Sequence, residues 1–187
     1  MNFFQTAHLL HFSKPEENRF VYRKVKQHRP HRIVEVGLQK GLRTLNLLKL
    51  AVSVCENPLA LRYFCVDPFE GRTKKDGPGL SLRKAYRAMN QMEIQHKLIP
   101  ATPLMGIKRI ANHVQNVDFL VLATPELHWL EEGGWYYLAR MLHQESVVLL
   151  GERQKRHTPY RFREIPLRER EDFAIRAEKQ LRLSKAA

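Results

Sequence analysis

Cysteine is nearly missing from this chain of 187 residues, with only Cys55 and Cys65, both in the apolar contexts VSVCEN and YFCVDP. Without a CxxC spacing or histidine partners nearby, they argue against a zinc ribbon and a disulfide framework, and read as buried thiols of a cytosolic protein. Long hydrophobic runs are lacking too, since none approaches the roughly 20 residues that span a bilayer. The opening MNFFQTAHLLHF is apolar, but it has no basic stretch before it and no small-residue cleavage site, so it is not read as a signal peptide. The expectation is a soluble, cytoplasmic protein with no membrane association. Internal repeats and low-complexity segments are absent. So is the GxGxxG fingerprint, which disfavours a dinucleotide-dependent oxidoreductase.

Acidic residues are scarce as well: 19 against 32 lysines and arginines, a net charge of +13. Residues 1–32 carry a net +5, residues 33–150 a net +3 and residues 151–187 a net +5. The basicity therefore lies in the flanks, which suits an anionic partner such as nucleic acid. Three segments follow: a basic N-terminal helical extension (1–31), a core (32–152), and a basic C-terminal edge segment with a helix (153–187).

Within the core, short continuous apolar runs recur: RIVEVG (32–37), RYFCVDPF (62–69), HKLIPAT (96–102), VDFLVLAT (117–124) and ESVVLLGE (145–152). Continuous rather than alternating runs indicate strands covered on both faces. Stretches with helical spacing separate them, beginning with Leu42 to Cys55, and Gly133–Gly134 should break a later helix in two. Strands alternating with helices give βαβ units, hence a three-layer α/β fold with at least five parallel strands. Upstream, residues 13–30 read as one helix with Pro15 in its first turn. Downstream, YRFREI reads as a short edge strand protected by its charges, and a helix follows Pro166. Dimerisation through that edge or that helix is possible.

Ligands of open parallel sheets sit outside the carboxyl ends of the strands. The first strand ends in IVEVGLQKGLRT. There Gly37 permits a sharp turn, Gly41 falls where a helix begins, and Glu35 is a carboxylate able to receive an amine. On its own this ExGxxxG spacing suits a plain strand-to-helix connection equally well. The second strand ends in Asp67, placed to accept hydrogen bonds from a ribose diol or, alternatively, to cap the following turn.

These segments, with HKLIPATPLMGIKRI and VDFLVLATPELHW after them, resemble the successive motifs of class I S-adenosylmethionine-dependent methyltransferases, most closely small members with a VDPFEG-like second strand end. The resemblance spans about residues 30–151. It implies a Rossmann-like sheet in the order 3-2-1-4-5 and S-adenosylmethionine as cofactor. It also implies that Glu35, Gly37, Leu38 and Gly41 border the methionine part and that Asp67 and Pro68 flank the ribose. The usual closing C-terminal hairpin is expected to be shortened or absent.

Two departures stand out. Past the third strand, the acidic or polar residue that reads adenine is replaced by PATP, leaving Ala101 or Thr102. Past the fourth, LATPELH puts Ala123 where metal-dependent relatives carry an acid, so no metal is expected. Glu126 and His128 remain as candidate bases. The leading reading is a methyltransferase-like protein acting on a small molecule. The alternative is a non-catalytic module of the same fold that binds nucleic acid or a protein through its basic flanks. Trp129, Trp135, Tyr136 and Tyr137 follow the fourth strand, either lining an acceptor pocket or packing in the core.

Overall fold

The computed structural model describes residues 1–92, 94–153 and 160–186. Two N-terminal helices, α1 (Phe3–His11) and α2 (Asn18–His28), precede the sheet. The sheet is built from β1 (Arg32–Val36), β2 (Arg62–Asp67), β3 (Gln95–Pro100), β4 (Val117–Leu122), β5 (Leu142–Glu152) and β6 (Arg161–Glu164). Between the strands run α3 (Leu42–Val54), α4 (Leu82–Asn90), α5 (Pro103–Ile110) and α6 (Trp135–Ala139), and α7 (Leu167–Ala186) follows β6. The strand order is β3-β2-β1-β4-β5-β6, with β1 to β5 parallel and β6 antiparallel to β5. The C-terminal hairpin is thus shortened to one returning strand, YRFREI in the sequence.

Alternation along each strand divides the core into two apolar layers. Ile33, Tyr63, Cys65, Phe119 and Val121 face α2, α3 and α4, while Val34, Val36, Val66, Leu120 and Leu122 face α5, α6 and α7. Leu9, Leu10, Val21, Tyr22 and Val25 of the N-terminal helices are buried in the first of these layers.

The N-terminal helix differs from its expected span. Residues 13–17 form a turn, with Arg19 Nε donating to Ser13 O, and α2 begins only at Asn18. Pro15 therefore lies outside the helix it was expected to open. The preceding α1 was not anticipated; it starts with a reciprocal cap between Asn2 and Gln5. The break at Gly133 is as expected, with φ +109° inside a π-helical turn at Leu130–Gly134 that leads into α6.

Among the described residues, no helix is long and apolar enough to cross a membrane.

Candidate functional site

The carboxyl ends of β1, β2 and β4 converge. Gly37 N donates to Val66 O at 2.9 Å, and Ala123 N donates to Val36 O at 2.8 Å. Gly37 has φ +95°, and a Cβ there would stand 2.3 Å from Ala123 O. Gly41 has φ +77°, and a Cβ there would meet Leu80 Cδ1 at 2.5 Å. Gly37 is accounted for by its close approach to the Ala123 backbone, whereas Gly41 meets only the end of the Leu80 side chain and is favoured by its positive φ.

Glu35, pointing into the α3 layer, is fully buried. Arg43, in the first turn of α3, reaches back beneath the turn, its Nη2 2.5 Å and its Nε 3.0 Å from Glu35 Oε1. The same Nη2 donates to Gly37 O at 2.8 Å. Oε2 accepts from Thr44 Oγ1 at 2.7 Å and from the Tyr63 hydroxyl at 2.6 Å. Phe162 of β6 lies 5.4 Å from the Arg43 guanidinium and covers it. Both oxygens of Glu35 are therefore engaged within the fold.

Asp67, 2% exposed, is engaged in the same way. Oδ2 accepts from Leu38 N at 2.7 Å, and Oδ1 accepts from Phe69 N at 2.7 Å, so the carboxylate caps the turn after its own strand. Arg72 Nη2 sits 2.5 Å from Oδ1, off the angle of a hydrogen bond, making the contact an ion pair. Arg72 also donates through Nη1 to Leu80 O at 2.8 Å, which draws the segment after β2 over the strand ends. Gln39, with φ +58°, completes the cover by donating through Nε2 to Ala123 O at 3.0 Å.

What remains between these strand ends is a cleft of about 20 Å³, bordered by Gly37, Gln39, Asp67, Pro68, Arg72 and Pro125 among others. That is room for about one water, whereas small-molecule sites run to roughly 300–1,000 Å³. The residues present do not fit S-adenosylmethionine. An ammonium brought to Glu35 would meet a carboxylate already neutralised by Arg43, and a ribose diol brought to Asp67 would find Oδ2 taken by Leu38 N and Oδ1 by Phe69 N and Arg72.

The fold thus brings together Glu35, Gly37, Leu38, Gly41, Asp67 and Pro68. Thr102 lies between Ala101, whose N donates to Asp67 O at 3.2 Å, and Pro103, which borders the same cleft, with its own side chain exposed at the N-cap of α5 and its hydroxyl not used as a cap. Glu126 and His128 are also exposed, 3.5 Å from each other, with Lys75 3.5 Å from Glu126. Trp129 and Trp135 are core residues, 4% and 5% exposed. Trp129 donates to Thr124 Oγ1, and Trp135 stacks on Phe173 of α7 at 4.9 Å. No group of three metal-ligating side chains occurs among the described residues.

Arg43, Arg72, Tyr63 and Gln39 decide the character of this site, and sequence reasoning had not singled them out. Arg43 lies two residues past Gly41, the last position in this segment that the family resemblance singled out.

Neither a protein-family model nor a curated protein sequence matches the chain. Solved structures do. One is an O-methyltransferase from Bacillus cereus in complex with S-adenosylhomocysteine, 12% identical with a TM-score of 0.50 over 92% of this chain and 78% of that one. Another is a putative O-methyltransferase from Klebsiella pneumoniae, 11% identical with a TM-score of 0.51 over 91% of this chain and 72% of that one. The fold is that of the class I S-adenosylmethionine-dependent methyltransferases.

Proposed function

We propose that this chain is a non-catalytic methyltransferase-fold module that binds a polyanionic partner, nucleic acid by preference, through its basic flanks. The observation that carries this reading is the double neutralisation at the strand ends, Arg43 on Glu35 and Arg72 on Asp67. A site that has turned both of its recognition carboxylates inward holds the fold together instead of holding a cofactor.

The flanks support the binding half of the proposal. Although far apart in sequence, they meet where α2 packs near β6, joined by Lys24 and Glu164 at 2.5 Å. There Arg19, Arg23 and Arg161 line one open cleft of about 290 Å³ together with Phe20. Of the two acids beside them, Glu16 is paired with Arg19 at 3.7 Å. Clustered arginines beside an aromatic ring suit phosphates and unstacked bases.

A second reading has one observation in its favour. A pocket of about 430 Å³ opens beyond the carboxyl ends of β4 and β5, walled by Leu127, Leu130, Leu150 and Phe173. It would suit the small acceptor of an S-adenosylmethionine-dependent methyltransferase. In that case Arg72 would have to leave Asp67 as the cofactor entered.

Thermal unfolding with S-adenosylhomocysteine separates the two readings. The expected result is no shift at millimolar ligand, because nothing binds the native state. A rise in midpoint that Asp67→Ala abolishes would overturn the non-catalytic reading and support the enzyme.

A further inference from the structure

Leu9 and Leu10 fasten α1 to the body, buried in the core layer that α2 and α3 share. On its other side a row of rings faces solvent. Phe4, His8, His11 and Phe12 stand at positions i, i+4, i+7 and i+8, which lie along one face of a helix. All four are exposed, Phe4 by 80% and Phe12 by 66%, and Phe3 beside them by 80%. The rings are neighbours. Phe3 meets Phe4 edge-on at 5.9 Å between centroids, and both His8 and His11 lie 6.3 Å from Phe12.

Three phenyl rings left in water forgo the gain of burial, so this face is suited to an occupant. The charge around it restricts which one. Residues 1–15 contain no acid. Past Phe12 the surface continues through exposed Lys14 to Arg19, whose Nε donates to Ser13 O at 2.8 Å. Arg23 follows, its Nε donating to Arg19 O at 3.3 Å, so the row of rings runs into the arginine cleft of α2 and β6. A second copy would bring together two chains of net charge +13 with cations at both rims. A hydrocarbon layer would have to take up the imidazoles of His8 and His11 between the phenyl rings, at a desolvation cost. A nucleic acid meets both conditions: its bases stack on phenyl and imidazole alike, and its phosphates suit the arginines. Four residues rise about 6 Å along a helix, against about 3.4 Å between nucleotides of a duplex strand. Bases lying on Phe4, His8 and Phe12 therefore have to come from an unstacked strand.

We infer that α1 is the base-stacking half of a surface for single-stranded nucleic acid, Phe4, His8 and Phe12 carrying unstacked bases while Arg19 and Arg23 hold the backbone. The inference rests on the polyanion-binding reading proposed above, which the arginine cleft alone would satisfy with a duplex as well as a single strand.

The test uses the full chain, a labelled oligothymidine of about 12 nucleotides and a duplex of equal length, followed by fluorescence anisotropy. The joint variant Phe4→Ser with Phe12→Ser changes only exposed rings and leaves Leu9 and Leu10 in place. It is expected to weaken the single strand by about tenfold or more and the duplex by less than about twofold. Phe12→Trp adds an exposed indole to the buried Trp129 and Trp135, and its emission should be quenched by the single strand and not by the duplex. Single-strand affinity unchanged in the joint variant, while the affinity still falls with salt, would overturn the stacking role and leave the arginine cleft as a polyanion site. Association with phosphatidylglycerol vesicles that the joint variant abolishes, with oligonucleotide binding untouched, would overturn it and assign the rings to a lipid surface. Failure of the unaltered chain to bind either oligonucleotide would remove both this inference and the nucleic-acid reading beneath it.

Discussion

Arg43 Nη2 rests 2.5 Å from Glu35 Oε1, and both side chains are closed off from solvent, 6% and 0% exposed. The pair lies directly beneath the turn that would cradle a ligand and also holds that turn through Gly37 O. Its role in this fold is structural, which leads to a measurable consequence. Arg43→Met strands a buried carboxylate and is expected to cost about 3–5 kcal/mol. The double change Glu35→Gln with Arg43→Met removes both charges and should cost less than the two single changes added together. Urea denaturation of the four proteins closes the cycle. Strictly additive costs would show that the two residues do not act as a pair.

Gly37 offers a second test. Alanine at this position would suffer a positive φ and also drive its Cβ to 2.3 Å from Ala123 O, so β1 and β4 must separate. Gly77 provides the control, with φ +72° and nothing within 4 Å of its would-be Cβ. Gly77→Ala should cost about 1 kcal/mol, the conformational penalty alone. Gly37→Ala should cost about 3 kcal/mol or more, since backbone must shift as well. If urea midpoints place the two variants together, close packing is not what the glycine at 37 provides.

The contrast between the sheet and the site in legibility has a physical origin. The strands were readable because burial on both faces demands continuous apolar runs, and VDFLVLAT or ESVVLLGE can do little else. The dual role of Asp67 was readable in part, since an acid at a strand end suits either a ribose or the next turn. The structure uses it for the turn, through Phe69 N. Arg43 and Arg72 carried no such signal. A lone arginine in the first turn of a helix or in a charged loop points outward by default. Only the tertiary placement of Glu35 and Asp67 turns these two inward. The missed α1 is a milder case: Asn2 and Gln5 spell its cap, but Phe3, Phe4 and Phe12 remain exposed, so no apolar stripe marks it.

Below Glu35, two further groups make stability depend on pH. Burial pushes the Tyr63 phenol well above its ordinary value of 10.0, with the charges of neighbouring Cys65 and Glu35 adding to it. Burial likewise raises the Cys65 thiol well above 9.0, reinforced by Glu35 and Asp67. Both groups are neutral when protonated, and the native state keeps their protons longer than the unfolded chain does. Their contribution is therefore complete below about pH 9 and is lost as the pH rises above it. Urea midpoints at about pH 8 and about pH 10.5 should fall accordingly, and Cys65→Ala should flatten the fall. An unchanged fall in that variant would assign the alkaline loss to other groups.

The basic surface is tested by salt. A protein that neutralises phosphates releases counter-ions, so its affinity falls linearly on logarithmic axes with a slope of about −0.9 per phosphate on duplex DNA. Arg19, Arg23 and Arg161 offer three contacts and predict a slope of about −2.7. The joint variant Arg23→Gln with Arg161→Gln should reduce the slope by about 2 without unfolding the protein, because both side chains are exposed. Phe20→Ala should weaken single-stranded binding more than duplex binding, since only unstacked bases can lie on its ring. Fluorescence anisotropy with short labelled oligonucleotides measures all three. A flat salt dependence, or a slope indifferent to Arg23 and Arg161, would remove nucleic acid as the partner of this surface.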